Sequence, residues 1–238
     1  MIQAAISEFG SSLAILTSFQ REGVVIVDLV MREQVNSPKI PILTIDTGKL
    51  PAATQRMIDA VEQRYGVEVE RIRPDESEVA AMVGAHGENL FYDSVPQRML
   101  CCNVRKVRPL ARRMATVSAY FAGLRREQGG ERLGIEEIDR AGTQVKISPL
   151  ADWSASDVER YTREHNLPVH DLYSAGYTSI GCNPCTRATI EGEGERAGRW
   201  WWENDVDKEC GIHFTPDGRA ERTVDVLLRD LLTRTATA

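Results

Sequence analysis

The sequence predicts an α/β protein with a mostly parallel β-sheet flanked by helices, followed by a C-terminal segment that we expect to be mobile. Three observations support this class. Short apolar runs rich in β-branched residues recur in the first half of the chain, as is typical of buried strands. Helical patterns lie between and after them, and alternation of strands with helices indicates a parallel sheet. After about residue 190 the chain becomes rich in glycine and charge.

Local patterns predict the individual elements in order. The short apolar runs are predicted strands: 13–19, 23–31, 40–48 and 67–74. Residues 50–66 are a predicted helix because apolar side chains recur there at helical spacing and Gly66 is a typical helix end. Residues 96–107 read as a second helix, and residues 221–232 as a short amphipathic one. We expect an α/β domain over 1–190 and a C-terminal segment over 191–238.

Length, composition and charge limit the functional classes. The 238 residues are 42% apolar and 27% charged, which is ordinary for a globular chain. No apolar run approaches the roughly 18 residues of a membrane helix, and the N-terminus lacks the positive region of a secretory signal. We therefore expect a cytoplasmic protein that does not enter a membrane. The net charge of −6 argues against a nucleic-acid partner.

Three polar segments fall at or just after predicted strands: 17–23, 46–49 and 123–128. Parallel sheets bind ligands at the carboxyl ends of their strands. We therefore expect the substrate pocket to be built from these segments. The alternative for each segment alone is an ordinary turn between a strand and a helix.

The five cysteines form two pairs and one single residue. In a reducing compartment such pairs indicate a metal or redox site, and Cys182 and Cys185 have the usual two-residue spacer. Cys101 and Cys102 are adjacent in a predicted helix, where neighbouring side chains diverge by about 100°. They reach different corners of a large group more easily than one small ion, which favours an iron–sulfur cluster over zinc. The alternative is a buried pair without chemistry.

Positive charge is concentrated beside the first cysteine pair, at Arg105, Lys106, Arg108, Arg112 and Arg113. These residues fall on more than one helical face of an acidic protein, so a small, highly charged anion is the expected ligand. A second pair, Arg196 and Arg199, has the spacing to clamp a phosphate or sulfate group. The alternative for both groups is a solvated, charged surface.

Taken together, three long motifs resemble a known family: "CCNVRKVRPLARR", "GCNPCTRATIEGEGERAGRWWWE" and "KECGIH". They resemble the assimilatory adenylyl-sulfate (APS) reductases, which belong with the phosphoadenylyl-sulfate (PAPS) reductases. The segments "SFQREGVVIVD", "IDTGKLP" and "GLRREQ" are similar to the nucleotide-binding loops of that family. The resemblance extends over residues 13–213, and its cysteine pattern is that of the iron–sulfur form.

The resemblance implies an adenine-nucleotide α-hydrolase-like fold and the reduction of APS to sulfite and AMP in cysteine biosynthesis. It implies that Cys210, which lies in a polar and glycine-flanked stretch, attacks the sulfur of APS and carries an S-sulfonate. Thioredoxin, or a glutaredoxin, would then release sulfite. Cationic neighbours that lower the pKa of a thiol make it a better nucleophile at neutral pH, and His213 is a candidate. A homo-oligomer is possible.

The resemblance also implies roles for further residues, which match the family's motifs by position. The ligands of a [4Fe–4S] cluster would be Cys101, Cys102, Cys182 and Cys185. This cluster would act electrostatically and structurally rather than as the electron donor. The substrate would contact Ser18, Phe19, Asp46, Thr47, Gly48, Lys106, Arg125, Arg196 and Arg199.

The chain departs from the family pattern at Gln20, where many members have glycine, and in the length of residues 214–238. Three alternative functions remain at this stage. A reductase for PAPS, or for both nucleotides, differs only in substrate. A tRNA-thiolating enzyme would need ATP, and the SGGxDS pattern of the ATP-splitting relatives is missing. A binding module stabilised by a zinc ion would use the same four cysteines without catalysis.

Overall fold

A computed structural model describes residues 1–34, 39–203, 213–214 and 220–221. Cys210, most of the predicted helix over 221–232 and most of the predicted mobile segment lie outside the described residues. Of residues 213–214 and 220–221 only the backbone is described.

Within these ranges strands and helices alternate as far as the third strand, after which three helices precede the next three strands. The helices are α1 (Ile2–Phe9), α2 (Arg21–Glu33), α3 (Ala52–Tyr65), α4 (Glu76–His86), α5 (Val95–Cys102), α6 (Arg108–Met114) and α7 (Ala155–Glu164). The strands are β1 (Leu13–Leu16), β2 (Ile42–Ile45), β3 (Val69–Ile72), β4 (Ala119–Ala122), β5 (Ile138–Asp139), β6 (Val145–Ile147), β7 (His213–Phe214) and β8 (Ala220–Glu221). A π-helix, Asn103–Val107, joins α5 to α6.

The main sheet has six strands in the order β3-β2-β1-β4-β6-β5. Every neighbouring pair is parallel except β5 with β6. The connections run outward from β1 through β2 to β3 and, on the other side, from β4 to β6, so the direction reverses between β1 and β4. The predicted α/β class with a mostly parallel sheet is confirmed, and this reversal is where such sheets bind ligands. β7 and β8 pair separately as an antiparallel ribbon.

Both faces of the sheet are buried, as a parallel sheet requires. Successive side chains of a strand point to opposite faces. Leu13 and Ile15 of β1 accordingly pack in a core with α2, while Ala14 of the same strand packs with Leu110 of α6 on the other face. A smaller third core lies beyond the sheet and contains two cysteines and Trp200.

The predicted strand over 23–31 is wrong, because these residues lie in α2. Val24, Val25, Ile26 and Val27 are at most 1% exposed, since α2 is enclosed by the sheet and by other helices. The run 24–27 is apolar at every position, so on its own it has no amphipathic period. A short apolar run of this kind fits a buried strand equally well. The other three predicted strands are observed in shortened form as β1, β2 and β3.

A polar cluster stabilises the contact of α2 with α3 and α7. Asp28 is 2% exposed and accepts hydrogen bonds from Arg32 Nε at 2.6 Å, Tyr65 Oη at 2.8 Å and Tyr161 Oη at 2.8 Å. Burial alone would raise the pKa of Asp28, but these three donors outweigh it and lower that pKa. The carboxylate thus stays charged and ties three helices together.

No helix among the described residues is both long and apolar enough to cross a bilayer.

Candidate functional site

A cavity of about 980 Å³ opens at the carboxyl edge of the sheet. Its wall includes residues that follow β1, β2 and β4: Thr17, Ser18, Gln20, Thr47, Lys49, Gly123, Leu124 and Gln128. These belong to the three polar segments predicted to form the pocket. The cavity lies at the reversal between β1 and β4, where parallel topology brings the strand ends together.

The loop between β1 and α2 is tightly wound. Phe19 has a left-handed φ of 57°, and its N–H donates to Thr17 Oγ1 at 2.9 Å. A Cβ on Gly23 would lie 2.0 Å from Thr17 Oγ1, so only glycine allows α2 to approach the loop this closely. Phe19 is fully buried and shapes the loop, whereas Ser18 lines the cavity.

Gln20 connects this loop to the second cysteine pair. Its Oε1 accepts the Ile180 N–H at 2.8 Å, and its Nε2 donates to Ser18 Oγ at 3.1 Å. Glycine at this position could make neither bond. The departure of Gln20 from the family pattern therefore has a local structural role.

Of the three predicted substrate residues in the loop after β2, one lines the cavity and two do not. Thr47 lines the cavity, with Oγ1 3.2 Å from Cys182 Sγ. Asp46 accepts the Gly48 N–H at 3.1 Å and Arg73 Nε at 3.1 Å. Asp46 and Gly48 are not among the described lining residues and instead hold the loop in shape, with Gly48 at a φ of 72°.

The four described cysteines all line the same cavity and all are free thiols. Cys101 and Cys102 form the end of α5, as the predicted helix requires, and Cys182 and Cys185 bracket a 3₁₀ turn. Among the residues that the structure describes, no three metal-binding side chains converge on a single-ion site. The four thiols line one chamber.

Burial is the main cause of the pKa shifts of Cys185 and Cys101. It raises the pKa of Cys185 to about 12, with a further contribution from Cys182, while Arg199 opposes the shift. Burial also raises the pKa of Cys101, which Arg105 opposes. Thiols in such surroundings stay protonated unless a metal centre displaces the protons.

Buried nitrogens beside the thiols lack acceptors. Among the described residues, no partner is found for Trp200 Nε1, Arg105 Nε or Arg199 Nε. Buried donors are nearly always satisfied in native proteins. These N–H groups therefore indicate that the chamber is shaped around an electron-rich group, as the sulfur atoms of a metal cluster would be.

The predicted substrate cations lie in the same cavity. Lys106, from the π-helix, and Arg196 and Arg199 all line its wall. A Cβ on Gly181 would lie 2.3 Å from Arg199 Nη2, so the missing side chain leaves room for this guanidinium beside Cys182. One edge of the cavity thus combines thiols and cations.

Arg125 is not a lining residue of this cavity. It is 3% exposed and donates from Nε to Glu22 at 2.9 Å and from Nη1 to Glu127 at 2.8 Å. It lines an adjoining cavity of about 550 Å³, which shares Glu22 and Glu195 with the main one. Burial, and next the charge of Glu22, raises the pKa of Glu195. In this arrangement the buried guanidinium of Arg125 pairs with the partly buried Glu22 and the exposed Glu127.

Sequence reasoning missed several residues of the site. Lys49 and Arg98 both line the cavity. Lys49 forms an ion pair with Glu88, and Arg98 pairs with Glu203 at 2.6 Å. Trp200 lies between the guanidinium groups of Arg98 and Arg199, 4.5 and 4.7 Å from its ring centre. Lys49 could have been found from its place in a predicted pocket segment, but no local pattern marks Arg98.

The catalytic residues predicted from the resemblance are described only in part. Cys210 lies outside the described residues. His213 belongs to β7, which pairs with β8 in the register His213 to Glu221. Their predicted roles stay predictions.

Residues 12–188 match the model of the phosphoadenosine phosphosulfate reductase domain family. The chain belongs to this family. Curated relatives agree over most of its length. It is 47% identical over 204 residues to the adenosine 5'-phosphosulfate reductase of Allochromatium vinosum, covering 85% of this chain and 78% of the relative. It is 46% identical to the enzyme of the same name from Burkholderia cepacia, covering 79% and 77%. The predicted family is confirmed.

Solved structures show the same fold. A phosphoadenylyl-sulfate reductase from Candida auris superposes with a TM-score of 0.64 at 24% identity, over 79% of this chain and 88% of that one. An FMN adenylyltransferase from Candida glabrata superposes with a TM-score of 0.57 at 12% identity, over 93% and 74%. The predicted adenine-nucleotide α-hydrolase-like fold is confirmed.

Proposed function

We propose that this protein is an adenylyl-sulfate reductase that converts APS to sulfite and AMP in assimilatory sulfate reduction and cysteine biosynthesis. The observation that carries the proposal is the single cavity in which nucleotide-binding loops, cations and four thiols meet. Relatives at 46–47% identity carry the name of this enzyme. We also propose that the protein works in the cytoplasm, because free paired thiols fit a reducing compartment.

Substrate binding follows from the layout of the cavity. The phosphosulfate group would lie near Lys106, Arg196 and Arg199, which are the cations of the predicted set that line the wall. The first turn of α2 also opens on the cavity at Gln20 and Gly23, and a helix N-terminus favours an anion. Fixed cations stabilise the charge that gathers on the leaving phosphate as the S–O bond breaks.

The proposed chemistry has two steps. The thiolate of Cys210 attacks the sulfur of APS, an S–S bond forms, the S–O bond breaks and AMP leaves with the bonding electrons. A dithiol protein, thioredoxin or a glutaredoxin, then attacks Cys210 Sγ and sulfite departs. The second thiol of the donor resolves the mixed disulfide and regenerates Cys210, so the two electrons come from the donor. His213 would stabilise the thiolate or assist the donor step.

The four lining cysteines fit a [4Fe–4S] cluster. Four cysteines match the ligand number of such a cluster, and the unpaired N–H donors around them suit an anionic group. Cys101, Cys102, Cys182 and Cys185 would each bind one iron. When bound, such a cluster would supply a rigid charged anchor, while Lys106 and Arg199 would hold the phosphosulfate beside it.

Steady-state kinetics with thioredoxin as donor test the proposal. We expect sulfite and AMP from APS and a large preference for APS over PAPS, whereas the reverse preference would make the protein a PAPS reductase. Protein purified without oxygen should contain about four irons and four sulfides per chain. One zinc per chain without iron, and no sulfite formed, would instead support the binding module.

Cys210→Ser tests the nucleophile. We expect this variant to keep its iron, its visible absorption and its affinity for AMP while losing sulfite formation, because the hydroxyl is a far poorer nucleophile than a thiolate at neutral pH. Near-normal sulfite formation by the variant would show that another group attacks the substrate.

A further inference from the structure

Gln20 stands at the start of α2, but its side chain makes no capping bond to that helix. Residues that cap helices are mostly short, such as Ser, Thr, Asp and Asn, and they bond to N–H groups of their own first turn. The side chain of Gln20 instead bonds to Ile180 N–H through Oε1 at 2.8 Å and to Ser18 Oγ through Nε2 at 3.1 Å. Both partners line the main cavity, so the amide lies between two parts of its wall.

The bond to Ile180 fixes which way the amide of Gln20 faces. A backbone N–H can only donate, so the amide oxygen must lie on the Ile180 side and the NH₂ group on the Ser18 side. Ile180 is 5% exposed, and a buried N–H that loses its acceptor costs free energy. The amide therefore cannot turn over without leaving this N–H unpaired.

The peptide of Ile180 is itself held in place. Its carbonyl accepts a longer hydrogen bond from Arg199 Nη1 at 3.4 Å. The same guanidinium lies against Gly181, where an added Cβ would come within 2.3 Å of Nη2. Its carbon is 4.7 Å from the ring centre of Trp200, which is 1% exposed. Gln20 is thus anchored to a packed part of the structure.

The NH₂ group of Gln20 decides what the hydroxyl of Ser18 can do. A hydroxyl has one proton to donate and two lone pairs that accept. Because Nε2 of Gln20 donates to Ser18 Oγ, it occupies a lone pair and leaves the proton free. Ser18 donates this proton to no other described residue, and it is exposed on the cavity wall. The ionised oxygens of a phosphosulfate can only accept, so a hydroxyl held in this way is ready to donate to the anion.

We propose that Gln20 is a positioning residue that orients the Ser18 hydroxyl as a hydrogen-bond donor to the anionic group of the substrate. The inference deepens the proposed function and rests on it, since it takes the phosphosulfate of APS as the anion in this cavity. Gln20 acts through Ser18 and takes no part in bond making. Its effect is on binding of the anionic part of the nucleotide rather than of the adenosine.

The first test compares ADP with adenosine as ligands, by isothermal titration calorimetry on the full chain purified without oxygen. The β-phosphate of ADP stands in for the sulfate of APS, whereas adenosine has no anion. Gln20→Met keeps the length of the side chain but has no donor for Ser18. We expect ADP to bind about tenfold more weakly and adenosine to stay within about twofold of the wild type. Equal weakening of both ligands would contradict the inference, because it would mean general damage to the cavity.

Gln34→Met is the matched control. Gln34 follows the other end of α2 and makes the same kind of bonds, since its Oε1 accepts the Ile40 N–H at 3.2 Å and its Nε2 donates to Met31 Sδ at 2.9 Å. It lines neither of the two described cavities. This variant should match the wild type in its affinity for both ligands. A loss of ADP affinity as large as that in Gln20→Met would count against the inference, because loosening α2 would then be sufficient.

A double-mutant cycle with Ser18→Ala shows whether Gln20 acts through the hydroxyl. Without the hydroxyl there is nothing to orient, so Gln20→Met should change ADP affinity by less than about twofold in the Ser18→Ala background. A full loss in that background would show that Gln20 acts by another route. Unchanged ADP affinity in Gln20→Met itself would also overturn the inference.

Gln20→Glu covers the case in which Gln20→Met does not fold. Its carboxylate still accepts the Ile180 N–H, but it also takes the Ser18 proton and repels the anion. ADP affinity should fall further in the wild-type background than in Ser18→Ala, where only the repulsion remains. Equal losses in the two backgrounds would rule the inference out. Failure of both Gln20 variants to fold would also do so, since Gln20 would then be purely structural.

The binding cycle and the turnover assay can fail separately. A wild type that forms no sulfite from APS would overturn the proposed function, whatever the cycle shows. Normal sulfite formation without coupling between Ser18 and Gln20 would overturn this inference alone.

Discussion

Buried polar groups are hydrogen-bonded in the Asp28 cluster, whereas several in the thiol chamber lack a partner among the described residues. The thiol chamber is the part of the cavity lined by Cys101, Cys102, Cys182 and Cys185. Around Asp28 three donors meet one carboxylate, with distances of 2.6 to 2.8 Å. In the thiol chamber, Trp200 Nε1 and Arg199 Nε are buried without a partner in the described protein. A satisfied network fixes the fold, whereas unmet donors mark a place that a ligand completes.

The two regions also differ in how the surrounding protein shifts the pKa of their buried acidic groups. Donors around Asp28 lower its pKa, so its charge belongs to the folded protein. Burial raises the pKa of Cys185 to about 12, so its charged form is unfavourable until something binds it. The Asp28 cluster therefore contributes to folding without a ligand, whereas the four thiols fit the iron–sulfur cluster that we propose.

The largest expected effect comes from removing a thiol. Cys182→Ser should lose most of its iron and its visible absorption, because a neutral hydroxyl is a poor iron ligand and one corner of the site is lost. Iron analysis and absorption spectra measure this, with Cys210→Ser as the control that keeps both. An unchanged spectrum in Cys182→Ser would contradict the ligand assignment.

Asp28→Ala should have the largest effect on folding. It leaves Tyr65 and Tyr161 without an acceptor and should lower the free energy of unfolding by about 3 kcal/mol. Urea unfolding measures the change, and kcat of the folded fraction should stay close to normal. Asp59→Ala is the control, because its ion pair with Arg71 is exposed and worth little. Equal costs for the two variants would mean that Asp28 has no special structural role.

Two aromatic substitutions sharpen the comparison. Tyr161→Phe removes a donor to a buried carboxylate and should cost about 1.5 kcal/mol of stability without affecting iron retention. Trp200→Phe removes an N–H that has no partner in the described protein, so its effect on folding is limited to packing. It should instead speed iron loss to a chelator several-fold. Identical iron retention in both variants would show that this N–H does not face the cluster.

The sequence predicted best where chain topology leaves little freedom. Parallel strands place their carboxyl ends at one edge, so the segments after β1, β2 and β4 had to meet. The cysteine pairs were informative because their spacing is itself a chemical signal. The prediction for α2 failed because the buried run from Val24 to Val27 has neither helical nor strand periodicity.

Ion pairs between residues that are far apart in the chain could not be predicted from the sequence. Arg98 and Glu203 are 105 positions apart, and although Glu203 ends one of the quoted motifs, nothing in either local sequence points to the other residue. The resemblance predicted that Arg125 contacts the substrate; in the structure its guanidinium bonds to Glu22 and Glu127, and its predicted role stays a prediction. Charge complementarity of this kind is decided by packing, which brings together residues that no local pattern connects.

The smallest expected effect on stability is that of His170, which lies beside the cavity but is hydrogen-bonded like the Asp28 cluster. It is 2% exposed, and its Nδ1 accepts the Leu172 N–H at 3.2 Å, which leaves Nε2 to donate to Thr54 Oγ1 at 3.0 Å. Thr54 lines the cavity. Both ring nitrogens are satisfied only in the neutral form, so His170 resembles the Asp28 cluster although it lies beside the site.

Burial lowers the pKa of His170, with Asp171 opposing and Arg56 reinforcing the shift. The unfolded chain takes up a proton near pH 6.5, whereas the folded protein does so only at lower pH. Below about pH 6.5 the unfolded state therefore binds more protons, and the free energy of unfolding falls as the pH is lowered toward 5. His170→Gln keeps a donor for Thr54 but does not titrate, so it should flatten this slope by a few tenths of a kcal/mol per pH unit, measured by urea unfolding from pH 5 to 7. An unchanged slope would mean that His170 protonates equally in both states, and that the cavity side of α3 admits enough water to solvate the charge.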